Sequence, residues 1–127
     1  MAIVFLIGRI IFGGYFLLNA YNHLVKGGHM AGYAASKGVP SPKLAIFVSG
    51  VLLLIGGVSM VLGLYPLIGV IALVVFLIPV SFMMHAFWKI QDPMARMGER
   101  IAFQKNMALI GAALMMLALS TPWIWSV

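Results

Sequence analysis

The chain contains no cysteine, and only two of its 127 residues, Asp92 and Glu99, are acidic. The first absence excludes disulfides, thiol catalysis, iron–sulfur ligation by this chain alone and c-type haem attachment. It also leaves the redox compartment unreadable from cysteine usage. Charge of either sign is scarce: 8% of residues are charged, against about 25% in a soluble domain. No Walker, Rossmann or metalloprotease pattern is present, no strand-like alternation suggests a barrel, and there is no repeat or low-complexity tract.

What is there is apolar. Hydrophobic residues make up 64% of the chain, concentrated in four runs at roughly 2–24, 44–64, 67–88 and 103–120. Each run is close to the ~20 residues an α-helix needs to cross about 30 Å of hydrocarbon. Backbone polar groups must be satisfied internally in lipid, which leaves helices as the spanning elements. The expectation is an all-α, four-transmembrane-helix bundle with short loops, forming one domain over 1–127.

The net charge of +6 implies no nucleic-acid partner. Of the eight Lys and Arg, seven lie in or beside two loops: Lys26, Lys37 and Lys43, then Lys89, Arg96, Arg100 and Lys105. Basic residues gather in cytoplasmic loops, so both of these loops are expected in the cytoplasm of a prokaryotic inner membrane, with both termini outside. The N-terminus lacks a basic stretch ahead of its apolar run, so no cleavable signal peptide is expected.

The first loop, rich in Gly, Ser and Pro, reads as an ordered-to-flexible connection. Asp92 before Pro93 reads as a helix N-cap. The following Met94, Met97 and Ile101 fit either a short interfacial helix or an inward extension of the fourth span. Ser49, Gly56 and Gly63 recur at sevens with Ser59 between the last two, a small-residue stripe that allows close helix approach in lipid. Gly8, Gly13, Gly14, Ala108, Gly111 and Ala112 are its candidate receiving surfaces. Pro79 is expected to kink the third span.

Polar residues interrupt the spans at one depth. "YFLLNAYNHL" carries Asn19, Asn22 and His23 near the basic end of the first helix. Counting inward from the same surface places Ser49, Ser81, His85 and Asn106 in that layer. Polar groups at lipid depth usually face the bundle interior. The layer therefore reads either as a bracing hydrogen-bond network or as a ligand pocket holding Asn19, His23, Ser49, Ser81, His85 and Asn106. The residues fix no cofactor; a quinone headgroup is the favoured candidate over haem for His23 and His85. His29 reads as a solvated loop residue. The ten methionines read as packing and lipid-facing material rather than copper ligands, so no metal site is expected.

Arg9 is the only basic residue within a span, with no acid at its depth. Its partner must be a helix C-terminal carbonyl, water, lipid phosphate or another subunit, which makes it a candidate partner contact. Asp92 and Glu99 both fall at the opposite side, so no carboxylate within the membrane serves a proton-coupled transporter.

"GRIIFGGYFLLNAYNHL", "VSGVLLLIGGVSMVLG" and "HAFWKIQDP…FQKNMALIGAALMM" together resemble the DoxX family of small four-helix membrane proteins, over nearly the whole chain. The resemblance rests on Arg9 and Gly13, on Gly56–Gly57 leading to Gly63, and on His85–Phe87–Trp88 followed by Phe103, Lys105, Asn106 and Gly111. It implies a compact bundle associated with membrane redox systems, relatives of which include a subunit of a thiosulfate:quinone oxidoreductase. Two departures stand out: Leu53 replaces a Glu that many members carry, and His23 stands where a Lys commonly ends the first helix. Losing an internal acid favours a small subunit of a redox or electron-transfer complex, packing or sealing the assembly beside other membrane subunits. A stand-alone quinone-linked oxidoreductase that uses the polar layer is the alternative.

Overall fold

A computed structural model describes residues 1–127. The chain forms five helices and no strand: α1 (Ala2–Val25), α2 (Gly27–Ser36), α3 (Pro42–Leu62), α4 (Pro66–Met84) and α5 (Pro93–Met115). Four helical segments, all but α2, are long and apolar enough to cross a membrane. The protein is an integral membrane protein built as a four-helix bundle. α1 packs mainly on α3, α3 on α4, and α4 on α5, while α2 lies against α3. Arg9, Gly13, Phe16, Ala20 and His23 are the buried positions of α1. They alternate by four and three, the spacing of one helix face.

Helix boundaries follow local chemistry. Pro42, Pro66 and Pro93 each open a helix in its first turn, where a missing N–H costs no bond. Asp92 caps α5, its Oδ2 accepting from Ala95 N at 2.9 Å. Gly63, at φ 72°, closes α3. Its N–H and that of Leu64 both donate to Ser59 O, at 2.8 and 3.1 Å. The Ser59 hydroxyl donates onward to Leu64 O at 2.5 Å, so one serine satisfies the turn between α3 and α4.

Several expectations need correction. The first loop contains a ten-residue helix: its Ala and Met residues favour helix, and Ala31 and Ala34 are buried. The third connection is an inward extension of the last span, since α5 runs unbroken from Pro93. The third span keeps close to its expected extent, at Pro66–Lys89, and the last ends at Ala118; each closes in a 3-10 turn, at Phe87–Lys89 and Met116–Ala118. Pro79 lies inside α4.

The small-residue contact is also differently placed. A Cβ on Gly13 would lie 2.6 Å from Val61 Cγ2 and 2.9 Å from Gly57 O, and one on Gly57 would lie 3.0 Å from Gly13 O. Gly50, seven residues before Gly57, likewise faces His23 and Leu24 of α1, whereas Gly56 turns to Leu73 of α4. Gly8, Gly14 and Gly111 have open space beside them. They receive nothing.

Arg9 is 2% exposed and turns inward. Its Nε donates to Met60 O (3.3 Å), Nη2 to Val61 O (2.8 Å) and Nη1 to Ile124 O (2.7 Å), with Trp125 O at 3.4 Å from both Nη atoms. The guanidinium lies 5.5 Å from the Phe5 ring centroid and 5.9 Å from that of Trp123. The last-turn carbonyls of α3 have no intrahelical donors and carry the negative end of the helix dipole, which makes them natural partners for a buried cation. The Val127 N–H donates to Leu62 O at 3.0 Å, so the C-terminal tail folds back over this end. Arg9 is therefore an intramolecular clasp rather than a subunit contact.

Gly13→Leu should force α1 off α3 at a cost of about 1–3 kcal/mol, the range for overpacking. Gly8→Leu, with open space, should be neutral. Thermal melts of both variants in the same detergent check this; equal melting would show that the Gly13–Gly57 approach does not hold the pair together.

Candidate functional site

Between the core and the basic loops lies a cavity of about 590 Å³, within the range of small-molecule sites. Below it the core is closed by Phe16, Ala20, Leu53, Leu73 and Leu77 with residues nearer the tail. Its walls are mostly apolar and come from all five helices, with α2 contributing His29, Met30, Tyr33 and Ala34. Leu53, on α3, is fully buried and lines it.

Five of the six expected polar residues line this cavity: Asn19, His23, Ser49, His85 and Asn106. Ser81 does not. Its hydroxyl is fully buried and donates to Leu77 O at 2.6 Å, one turn back on its own helix, which is a common resting place for a serine in an apolar span. Asn22 is exposed and does not line the cavity. His29 is exposed, as expected, but it stands on α2 rather than in a loop and lines the cavity.

The polar groups are only partly committed. Asn19 Nδ2 donates to Tyr15 O at 2.8 Å. His23 Nδ1 lies 2.7 Å from Ser49 Oγ, and Ser49 Oγ donates to Ile46 O at 2.8 Å. The His23 ring meets Phe76 edge-on at 5.7 Å. Asn106 is 5% exposed, and none of the hydrogen bonds within the chain uses its side-chain amide. Trp123 Nε1 is the one fully sealed side-chain polar atom without a partner. The Asn106 amide and His23 Nε2 are thus unpartnered but not sealed, and both belong to residues that line the cavity. A bracing network would leave few such groups.

Three residues enter the site that the sequence reading passed over. Glu99 Oε2 accepts from His85 Nδ1 at 2.6 Å, and Glu99 Oε1 accepts from Tyr33 Oη at 2.8 Å. This carboxylate joins α2 and α5 to the end of α4 and fixes which His85 nitrogen carries a proton. Lys105, on the rim, donates to Tyr15 Oη at 2.9 Å. Once α5 is seen to be continuous, a signal exists: Glu99, Asn106 and Ala113 recur at sevens on one face. Below the His85 pair, Phe82, Phe87, Trp88 and Phe103 meet one another with centroids 5.2 to 5.9 Å apart. That aromatic cluster anchors the 3-10 turn which delivers His85 to the cavity.

Residues 4–86 match the DoxX family model. The protein belongs to the DoxX family. No curated protein and no solved structure matches it. In this DoxX protein the match covers α1 to α4 and includes both His23 and His85. Lys105 and Asn106, which line the cavity from α5, and Glu99, which holds His85 and Tyr33, lie beyond it.

The Tyr33 phenol is held above its ordinary pKa of 10.0 by partial burial, then by its hydrogen bond to Glu99 and by that carboxylate's charge. A phenol pKa raised on folding gives stabilisation that is present at neutral pH and lost as pH climbs through the raised value. Glu99→Gln should therefore let Tyr33 ionise at lower pH than in the parent. Ultraviolet titration of tyrosinate, with Tyr33→Phe to assign the transition, checks this; an unmoved transition would remove Glu99 as the cause.

Proposed function

We propose that this DoxX protein binds the ring of a membrane quinone in the cavity at its basic end and works as a small subunit of a redox or electron-transfer complex. The observation that carries the reading is the combination of largely apolar walls with polar groups left unused by the fold, above all the buried Asn106 amide. A flat ring with two polar oxygens and an apolar body suits such a lining, because ligand sites pair apolar walls with a few placed polar groups. A quinone, when bound, supplies two-electron, two-proton redox capacity.

The chain's own residues would hold the ring and manage protons. Asn106 can donate or accept at a ring oxygen. His85, with Nδ1 committed to Glu99, keeps Nε2 as the group that can give or take a proton, and a carboxylate partner is how proteins orient such an imidazole. Tyr33 and Glu99 extend that hydrogen-bonded line from the cavity to α2 at the basic end. By the distribution of Lys and Arg, this end is proposed to face the cytoplasm of a prokaryotic inner membrane.

The subunit half of the proposal has its own support. The chain carries no cysteine, and no three His, Cys, Asp or Glu stand close enough to hold a metal ion. Electrons reaching the cavity are then best delivered by a partner. The stand-alone quinone-linked enzyme remains the alternative, with the same residues in the same roles.

Two measurements test these halves. Purified protein in nanodiscs should bind a decyl-substituted benzoquinone saturably. His85→Ala and Asn106→Leu should each weaken binding about tenfold or more, the scale of one buried hydrogen bond lost, while Gly8→Leu leaves it unchanged; no saturable binding by the folded parent ends the quinone reading. Mild-detergent purification from native membranes should recover redox subunits in fixed stoichiometry. Recovery of the protein alone with bound quinone would instead favour the stand-alone enzyme.

A further inference from the structure

The hydrogen bonds around His23 favour one tautomer. Ser49 has one hydroxyl proton and two close polar neighbours, Ile46 O at 2.8 Å and His23 Nδ1 at 2.7 Å. Ile46 O only accepts, and it lies within reach of both the Ser49 hydroxyl and the His23 ring. The arrangement that serves all three puts the Ser49 proton on Ile46 O and the imidazole proton on Nδ1. In a neutral imidazole one nitrogen donates and the other accepts. His23 Nε2 is therefore a bare lone pair, without a partner in the chain, on a residue that lines the cavity.

Resting on the quinone reading of the cavity, we infer that the site selects the hydroxyl-bearing, reduced ring over the carbonyl-bearing, oxidised one. The Ser49–His23 pair does the selecting. A ring hydroxyl can donate to Nε2, whereas a ring carbonyl would set one lone pair against another. The Asn106 amide does not discriminate in this way, because it offers both a donor and an acceptor. A neutral His85, its Nδ1 bonded to Glu99, presents a bare Nε2 as well and adds to the selection. Ser49 has no need to reach the ligand: it is a positioning residue that acts by holding the proton on Nδ1. The two acids do not interfere, because Asp92 caps α5 and Glu99 is occupied by His85 and Tyr33.

The tautomer can be read directly and the selection by titration. Histidine-labelled full-length protein in lipid, near pH 8, where an imidazole of ordinary pKa (about 6.5) is neutral, should show nitrogen-15 shifts for His23 with Nδ1 protonated and Nε2 bare. Calorimetry under anaerobic conditions should find a decyl-substituted benzoquinol binding about tenfold tighter than the matching benzoquinone. Ser49→Ala should bring the two ligands toward parity by releasing the tautomer. A protonated Nε2 on His23, or equal affinity in the parent, overturns the selection while leaving the quinone reading intact. If neither ligand binds to the folded parent, the quinone reading fails and the selection falls with it.

Discussion

A polar side chain placed at hydrocarbon depth has no water to turn to and must find its partner inside the chain, and this constraint orders the whole molecule. Its two ends answer it differently. At the tail end, the guanidinium of Arg9 meets carbonyls from Met60, Val61, Ile124 and Trp125, and Ser59 and the Gly63 turn close the end of α3, leaving Trp123 Nε1 as the one sealed side-chain atom without a partner. At the basic end, five helices surround a cavity in which the Asn106 amide and His23 Nε2 make no hydrogen bond within the chain. The tail end ties α1, α3 and the C-terminal tail together. The unsaturated end is left with hydrogen-bonding capacity that a ligand can use.

The close approach of α1 and α3 connects the two. Gly13 and Gly57 bring the backbones together, which sets the depth at which Arg9 reaches the end of α3. The same helix pair, ten residues further along α1, brings His23 to Ser49. A single register between two helices therefore fixes both the clasp and the His23–Ser49 contact. Packing carries this register, because lipid supplies no hydrophobic drive between helices.

The spans were legible in the sequence because length and hydropathy leave few alternatives at 64% hydrophobic content. The polar layer was legible for the same reason: Asn19, His23, Ser49, His85 and Asn106 break apolar runs at a common depth. Ser81 breaks its run too, but its own Leu77 carbonyl absorbs it, and sequence does not distinguish a hydroxyl turned back from one turned inward. α2 was missed because its glycines resemble a loop, although its alanines bury against α3. Glu99 was missed because its segment could equally have been an interfacial helix; only a continuous α5 aligns it with Asn106. Arg9 was legible as having no side-chain partner. A helix C-terminal carbonyl, the first partner the sequence offered it, is what it meets at Met60 and Val61; the tail carbonyls of Ile124 and Trp125 were not foreseen.

The DoxX match ends at residue 86, one residue beyond His85. His85 thus lies within the matched region, while the carboxylate bonded to it comes from α5, beyond that region. His23 differs in this respect: its positioning partner, Ser49, lies within the matched region and on a neighbouring helix. The two histidines are consequently set by different devices, a neutral hydroxyl deep in the bundle and a charged carboxylate near its end. A hydroxyl fixes a tautomer without adding charge, which suits an acceptor buried among apolar walls. The cavity is thus lined by two histidines held by neighbours of different charge.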